Sequence, residues 1–154
     1  MIRSNWTQNE ILKILNLPLL ELIFKAHKLH KKYFPKKDVQ LASLLSIKTG
    51  ACPENCKYCP QSAHYKTGLK NEPLLSVKEV LEKAKKAKKS GASRFCMGAA
   101  WREVRDGAEF NKVIKMVEGI KIIGMESCVT LGMLNQNQAK RLAKAGLKAY
   151  NHNI

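Results

Sequence analysis

The stretch SVKEVLEKAKKAKKSGASRFCM, residues 76–97, decides the fold. Ser76 and Glu79 have the spacing of a capping box, in which a hydroxyl and a carboxylate satisfy free amides at a helix start. Val77, Val80, Leu81, Ala84 and Ala87 then fall on one face at helical spacing. Gly91 suits the left-handed turn that ends a helix, and residues 92–97 read as a short strand. The same order of signals recurs twice downstream. Phe110, Val113, Ile114, Val117 and Ile120 form a helical stripe that stops at Gly124, before a strand over 125–131. A third helix over about 135–145 stops at Gly146, before a strand over 147–152.

Upstream, residues 39–47 are uncharged and rich in Leu, which suits a buried strand. Strands joined by helices imply parallel pairing with right-handed crossovers. The expected class is therefore α/β: a partial TIM-type barrel of about four parallel strands with crossover helices, preceded by two helices. Thr7 and Glu10 repeat the capping-box spacing, ahead of Ile11, Leu12, Ile14 and Leu15. Pro18 can open the second helix, where a missing N–H costs nothing, and Leu19, Leu22, Ile23, Ala26 and Leu29 follow at helical spacing. Two segments result: a helical extension, 1–38, and half of an eight-stranded barrel, 39–154. Four parallel strands would leave unpaired edges and half a core exposed, so the sequence reads as an N-terminal half.

The formal charge is +16, yet only five of the 28 basic residues are Arg (Arg3, Arg94, Arg102, Arg105 and Arg141). Base-edge readout relies heavily on Arg, and no basic helix is interleaved with stacking aromatics. Lys83, Lys85, Lys86, Lys88 and Lys89 fall on a solvent face instead, so no nucleic-acid partner is expected. No apolar run approaches the ~20 residues that span a bilayer. The first residues lack an apolar signal core. No membrane partner and a cytoplasmic location are the expectations.

Three of the five cysteines crowd into Cys52-Pro53-Glu54-Asn55-Cys56-Lys57-Tyr58-Cys59. A secreted disulfide framework spreads its cysteines more evenly, so this group reads as reduced and metal-binding. Thiolates at C-x₃-C-x₂-C spacing can each bind a separate iron of a cubane and leave the fourth iron open to a substrate. Iron–sulfur clusters normally take four cysteines, and a zinc site completed by His64 is the alternative on spacing alone. Cys96 and Cys128 fall in or near strand ends, where they could point into a barrel or pack as small hydrophobes.

The cysteine loop, with an aromatic before its last cysteine and a place after the first strand, resembles the radical S-adenosylmethionine signature. Residues 46–53, 59–62 and 65–68 resemble the biotin synthase family more narrowly. So do residues 94–102, 128–132 and 150–153, in the family's order along nearly the whole chain. That resemblance implies a [4Fe–4S] cluster on Cys52, Cys56 and Cys59, whose open iron chelates S-adenosylmethionine. It implies reductive cleavage to a 5′-deoxyadenosyl radical, hydrogen abstraction from dethiobiotin, and sulfur insertion from a [2Fe–2S] cluster to give biotin. Cys96 and Cys128 match family ligands of that second cluster. Its other ligands, a cysteine and an arginine, match nothing here, so this chain is expected to be incomplete for turnover. Tyr58, Ala100, Asn151 and Asn153 are the cofactor-binding candidates, with Tyr58 beside the cluster and the adenine. Gly98 and Ala99 are small enough to let backbone approach a ligand, Trp101 is a candidate neighbour of the substrate, and His152 reads as structural. A reductase as electron donor and a homodimer complete the implied partners. A non-catalytic iron–sulfur or zinc-binding module is the reading from another class.

Overall fold

A computed structural model describes residues 3–34 and 39–152. Its contacts divide the chain into two compact units, Met1–Val39 and Gln40–Ile154. The first carries α1 (Gln8–Leu15) and α2 (Leu19–Tyr33). Thr7 caps α1 with the full reciprocal pattern: its hydroxyl accepts from the Glu10 N–H, and the Glu10 carboxylate accepts from the Thr7 N–H at 2.9 Å. Arg3 reaches the same carboxylate at 2.7 Å. Together these donors hold Glu10 at a pKa of about 2, with the Thr7 backbone bond the largest cause. Pro18 stands at the N-cap of α2, one residue before the helix proper. The expected boundary at 38 lies outside the described residues.

The second unit runs β1 (Ala42–Lys48), α3 (Val77–Lys89), β2 (Arg94–Ala99), α4 (Ala108–Ile123), β3 (Glu126–Thr130), α5 (Gln136–Ala145) and β4 (Ala149–Tyr150). The four strands form one sheet in the order β1-β2-β3-β4, and every pairing is parallel. This is the α/β arrangement expected of a partial TIM-type barrel. Gly124 and Gly146 end α4 and α5 in left-handed conformations, and Gly91, also at positive φ, follows α3. The capping box on α3 is present as expected. A further one, with Asn135 and Gln138, opens α5.

The core lies between the sheet and the helices. Ile47, Phe95, Met97 and Val129 on the strands meet Val80 and Ala84 of α3, Phe110, Val113, Val117 and Ile120 of α4, and Leu142 of α5. Alternation fixes which strand residues take part, because successive side chains point to opposite faces. The other face carries Leu44, Cys96, Cys128 and Ala149, in register across all four strands.

Two strand expectations need correction. The buried strand expected over 39–47 is shorter and half-open: β1 starts at Ala42 and alternates, with Leu44 75% exposed. The ladder begins only where β2 begins, at Ala42↔Arg94. Just before it, the Leu41 carbonyl instead accepts the Ser93 and Arg94 N–H groups. The strand expected over 147–152 shrinks to Ala149–Tyr150, paired only with β3.

Candidate active site

β1 delivers the chain to a long loop that stands over the C-terminal ends of the strands. Gly50 (φ +74°) and Ala51 (φ +53°) make consecutive left-handed turns out of the strand. At Gly50 a Cβ would meet Asn71 Oδ1 at 2.5 Å, so only glycine fits there. The cysteine segment is then stitched into a closed shape. Cys52 donates its N–H to the Gln61 carbonyl at 2.9 Å, and the Ala63 N–H returns to the Cys52 carbonyl at 2.8 Å. Between these ends the Cys59 N–H bonds the Cys56 carbonyl at 3.0 Å. Ser62, only 4% exposed, donates its hydroxyl to the Glu54 carbonyl at 2.6 Å. Tyr65 Oη donates to Asn55 Oδ1 at 2.7 Å and Thr67 Oγ1 to the Pro60 carbonyl at 2.9 Å.

The result brings Cys52, Cys56 and Cys59 to the wall of one cavity of about 450 Å³. Gly98, Ala100, Trp101 and Thr130, from the ends of β2 and β3, line the same cavity. Desolvation, then the Glu54 carboxylate, then the thiols of Cys59 and Cys52 push the Cys56 thiol above its ordinary value. No group of three or more His, Cys, Asp or Glu side chains among the described residues is placed to hold a single metal ion. His64 Nε2 lies 3.1 Å from the Pro53 carbonyl, where it serves the loop.

The remaining candidates divide. Tyr58 lines the cavity and is 73% exposed, so it is no core aromatic. Ala100 also lines it, at 6% exposure, but its N–H is already donated to the Lys48 carbonyl at 3.0 Å. It offers a small side chain and a carbonyl rather than a free donor. Asn151 is exposed beyond the end of β4 and donates its N–H to the Val129 carbonyl at 2.9 Å. His152, not Asn151, is among the cavity's lining residues. Asn153 lies outside the described residues. Cys96 and Cys128 sit one layer deeper on the same sheet face, directly opposite each other. Below them Arg94 Nη2 bonds Glu126 Oε2 at 2.8 Å, and Gln40 Nε2 bonds that oxygen at 2.9 Å.

Sequence reasoning did not find the framework that holds the rim. Arg102 Nε pairs with Glu54 Oε2 at 3.3 Å and ties the β2–α4 loop to the cysteine loop. Gly132 (φ +77°) packs against the Arg102 and Trp101 carbonyls, and the Met133 N–H bonds the Arg102 carbonyl at 2.8 Å. Tyr150 Oη donates to the Gly132 carbonyl and accepts the Leu131 N–H at 3.3 Å. Buried Gln138 donates Nε2 to the Val104 carbonyl at 3.2 Å. Each of these contacts spans at least 18 residues, and no local motif announces any of them.

Comparison with known proteins adds to this geometry. Residues 46–154 match the Radical SAM superfamily. The chain is 57% identical over 153 residues to a biotin synthase of Myxococcus xanthus, covering 99% of this chain and 44% of that protein. A biotin synthase of Synechococcus elongatus is also 57% identical, with 48% of its length covered. One from Methylococcus capsulatus is 55% identical over 154 residues, with 47% of its length covered. The chain spans about half the length of the curated relatives it matches.

Proposed function

Because this chain belongs to the radical SAM superfamily, we propose that it carries the cluster-binding part of a biotin synthase-like enzyme. The observation that supports this most is that Cys52, Cys56 and Cys59 all line one cavity above the strand ends. Active sites of α/β barrels gather at that end. In this reading the three thiolates bind a [4Fe–4S] cluster, and Tyr58, Ala100, Asn151 and Asn153 contact S-adenosylmethionine. When held by these residues, the cluster and the cofactor would supply radical chemistry for hydrogen abstraction from dethiobiotin.

The chain's own contribution is to bind and orient. The loop bonds from Ser62, Tyr65 and Thr67 hold the thiolates in place. The small residues Gly98 and Ala100 leave room for the cofactor, and Trp101 forms an apolar wall against water. Cys96 and Cys128 would supply two ligands to a [2Fe–2S] sulfur donor. Two thiols do not fill a four-ligand set, so the remaining ligands of that cluster would come from outside the described residues. A reductase donor, a homodimer and a cytoplasmic address belong to the same proposal. No helix among the described residues is long and apolar enough to cross a membrane.

The test is anaerobic reconstitution with iron and sulfide, then EPR of the reduced protein with and without S-adenosylmethionine. The expected result is a [4Fe–4S] signal that the cofactor alters and that Cys56→Ala abolishes. A chain that takes up only zinc, or a cluster indifferent to the cofactor, would overturn the reading.

A further inference from the structure

Cys96 of β2 and Cys128 of β3 are direct partners in a parallel ladder, and both are free and partly buried. Neighbouring strands lie ~4.8 Å apart, inside the 4.4–6.8 Å window of Cα separations that a disulfide bridges. Equal register places both side chains on the same face, so their Cβ atoms project together. Their surroundings leave an approach open. A Cβ added at Gly98, the next residue up on that face of β2, would meet nothing within 4 Å. Leu44, the partner of Cys96 on β1, is mostly exposed. The Arg94–Glu126 ion pair closes only the opposite end.

We propose that Cys96 and Cys128 form an oxidation site, closing to a cross-strand disulfide when a small disulfide oxidant such as oxidised glutathione meets the metal-free chain. One thiol attacks a glutathione sulfur, forming a mixed disulfide and releasing one glutathione. The second thiol attacks the protein sulfur of that mixed disulfide and releases the other. Two cysteine thiols are oxidised, one glutathione disulfide is reduced, and the two protons leave on the two glutathiones. Closed, the disulfide withholds both thiols from any metal. Register and exposure suffice for this closure, whether or not the pair ever ligates a cluster.

The experiment treats the metal-free chain with oxidised glutathione, blocks residual thiols and maps tryptic peptides. Cys96 falls on the peptide 95–102, Cys128 on 122–140, and the loop cysteines on 49–57 and 58–66. The expected product is a linked 95–102/122–140 pair that separates on reduction. The same link should form in the Cys52→Ala, Cys56→Ala, Cys59→Ala triple variant, which retains only this pair, with no covalent dimer on a non-reducing gel. Blocked free thiols at both positions, stable glutathione adducts there, or linkage between chains would each overturn the proposal. If the triple variant fails to fold, the peptide map of the unsubstituted chain decides between these outcomes.

Discussion

Gly132→Ala should destabilise the barrel unit far more than Gly68→Ala, although both glycines have nearly the same backbone conformation. Gly132 has φ +77° and Gly68 φ +74°. An L side chain in that region costs ~1–2 kcal/mol at either position. The two sites differ in what a methyl group would meet. At Gly68 an added Cβ would meet nothing within 4 Å, whereas at Gly132 it would run into the Arg102 carbonyl and lie 2.6 Å from the Trp101 carbonyl oxygen. No rotamer change relieves a clash with backbone, so the β2–α4 and β3–α5 loops must part. Parting breaks the Met133 N–H bond to the Arg102 carbonyl and the Val104 N–H bond to the Met133 carbonyl, each worth ~1 kcal/mol. The expected cost is ~3–4 kcal/mol for Gly132→Ala and ~1–2 kcal/mol for Gly68→Ala. Domains are stable by only ~5–15 kcal/mol, so the first variant loses a large share. Urea unfolding followed by circular dichroism, extrapolated to water, measures both. Equal costs for the two variants would refute the argument, because they would show that the loop lacing contributes nothing beyond local backbone strain.

The capping box on α3 makes a pH-dependent prediction. The Ser76 hydroxyl, then the Ser76 backbone N–H, holds the Glu79 carboxyl below the ordinary carboxylate range. A carboxylate depressed in the folded state adds stability above its unfolded pKa of ~4.3 and loses it as pH falls through the lower folded value. Ser76→Ala should therefore cost ~1 kcal/mol near neutrality and give a shallower fall in urea midpoint below about pH 4; an unchanged acid slope would contradict the assignment. In the core, Phe110 is fully buried and its ring lies 4.7 Å from the Arg141 guanidinium. Phe110→Ala should cost ~3–5 kcal/mol, whereas exposed Ile122 on the same helix should tolerate alanine within ~0.5 kcal/mol, and comparable thermal shifts for the two would count against the observed helix orientation.

Local chemistry was legible in the sequence, and contacts between distant segments were not. Thr7–Glu10 and Ser76–Glu79 announced their helices, because a capping box is complete within four residues. Gly91, Gly124 and Gly146 marked the helix ends for the same reason. The cysteine loop was legible by spacing alone, and the structure brings its three thiols to one cavity. The Asn135–Gln138 box is harder to read, because a neutral amide pair is a weaker signal than a hydroxyl and a carboxylate. Strand ends were misplaced because they depend on partners. β1 begins where β2 offers one, and β4 stops where only β3 supports it. The Glu54–Arg102 pair and the Tyr150–Gly132 bond join residues 48 and 18 positions apart, so nothing in either neighbourhood foretold them.

The two faces of the sheet explain why the strands fit a barrel wall rather than a two-sided layer. The helix-covered face is apolar at Ile47, Phe95, Met97 and Val129. The other face is graded along the strands, with Arg94, Glu126 and Gln40 bonded at the lower end, two thiols in the middle, and Ser46, Gly98 and Thr130 above. A second helix layer laid on that face would desolvate the ion pair and the hydroxyls while offering them apolar side chains, and buried polar groups without partners are costly. A barrel interior instead lets that face meet its own kind, with Arg94, Glu126 and Gln40 already paired at one end and the other end open to a ligand. It keeps the polar lower layer self-satisfied and leaves the small upper residues beside the cysteine loop.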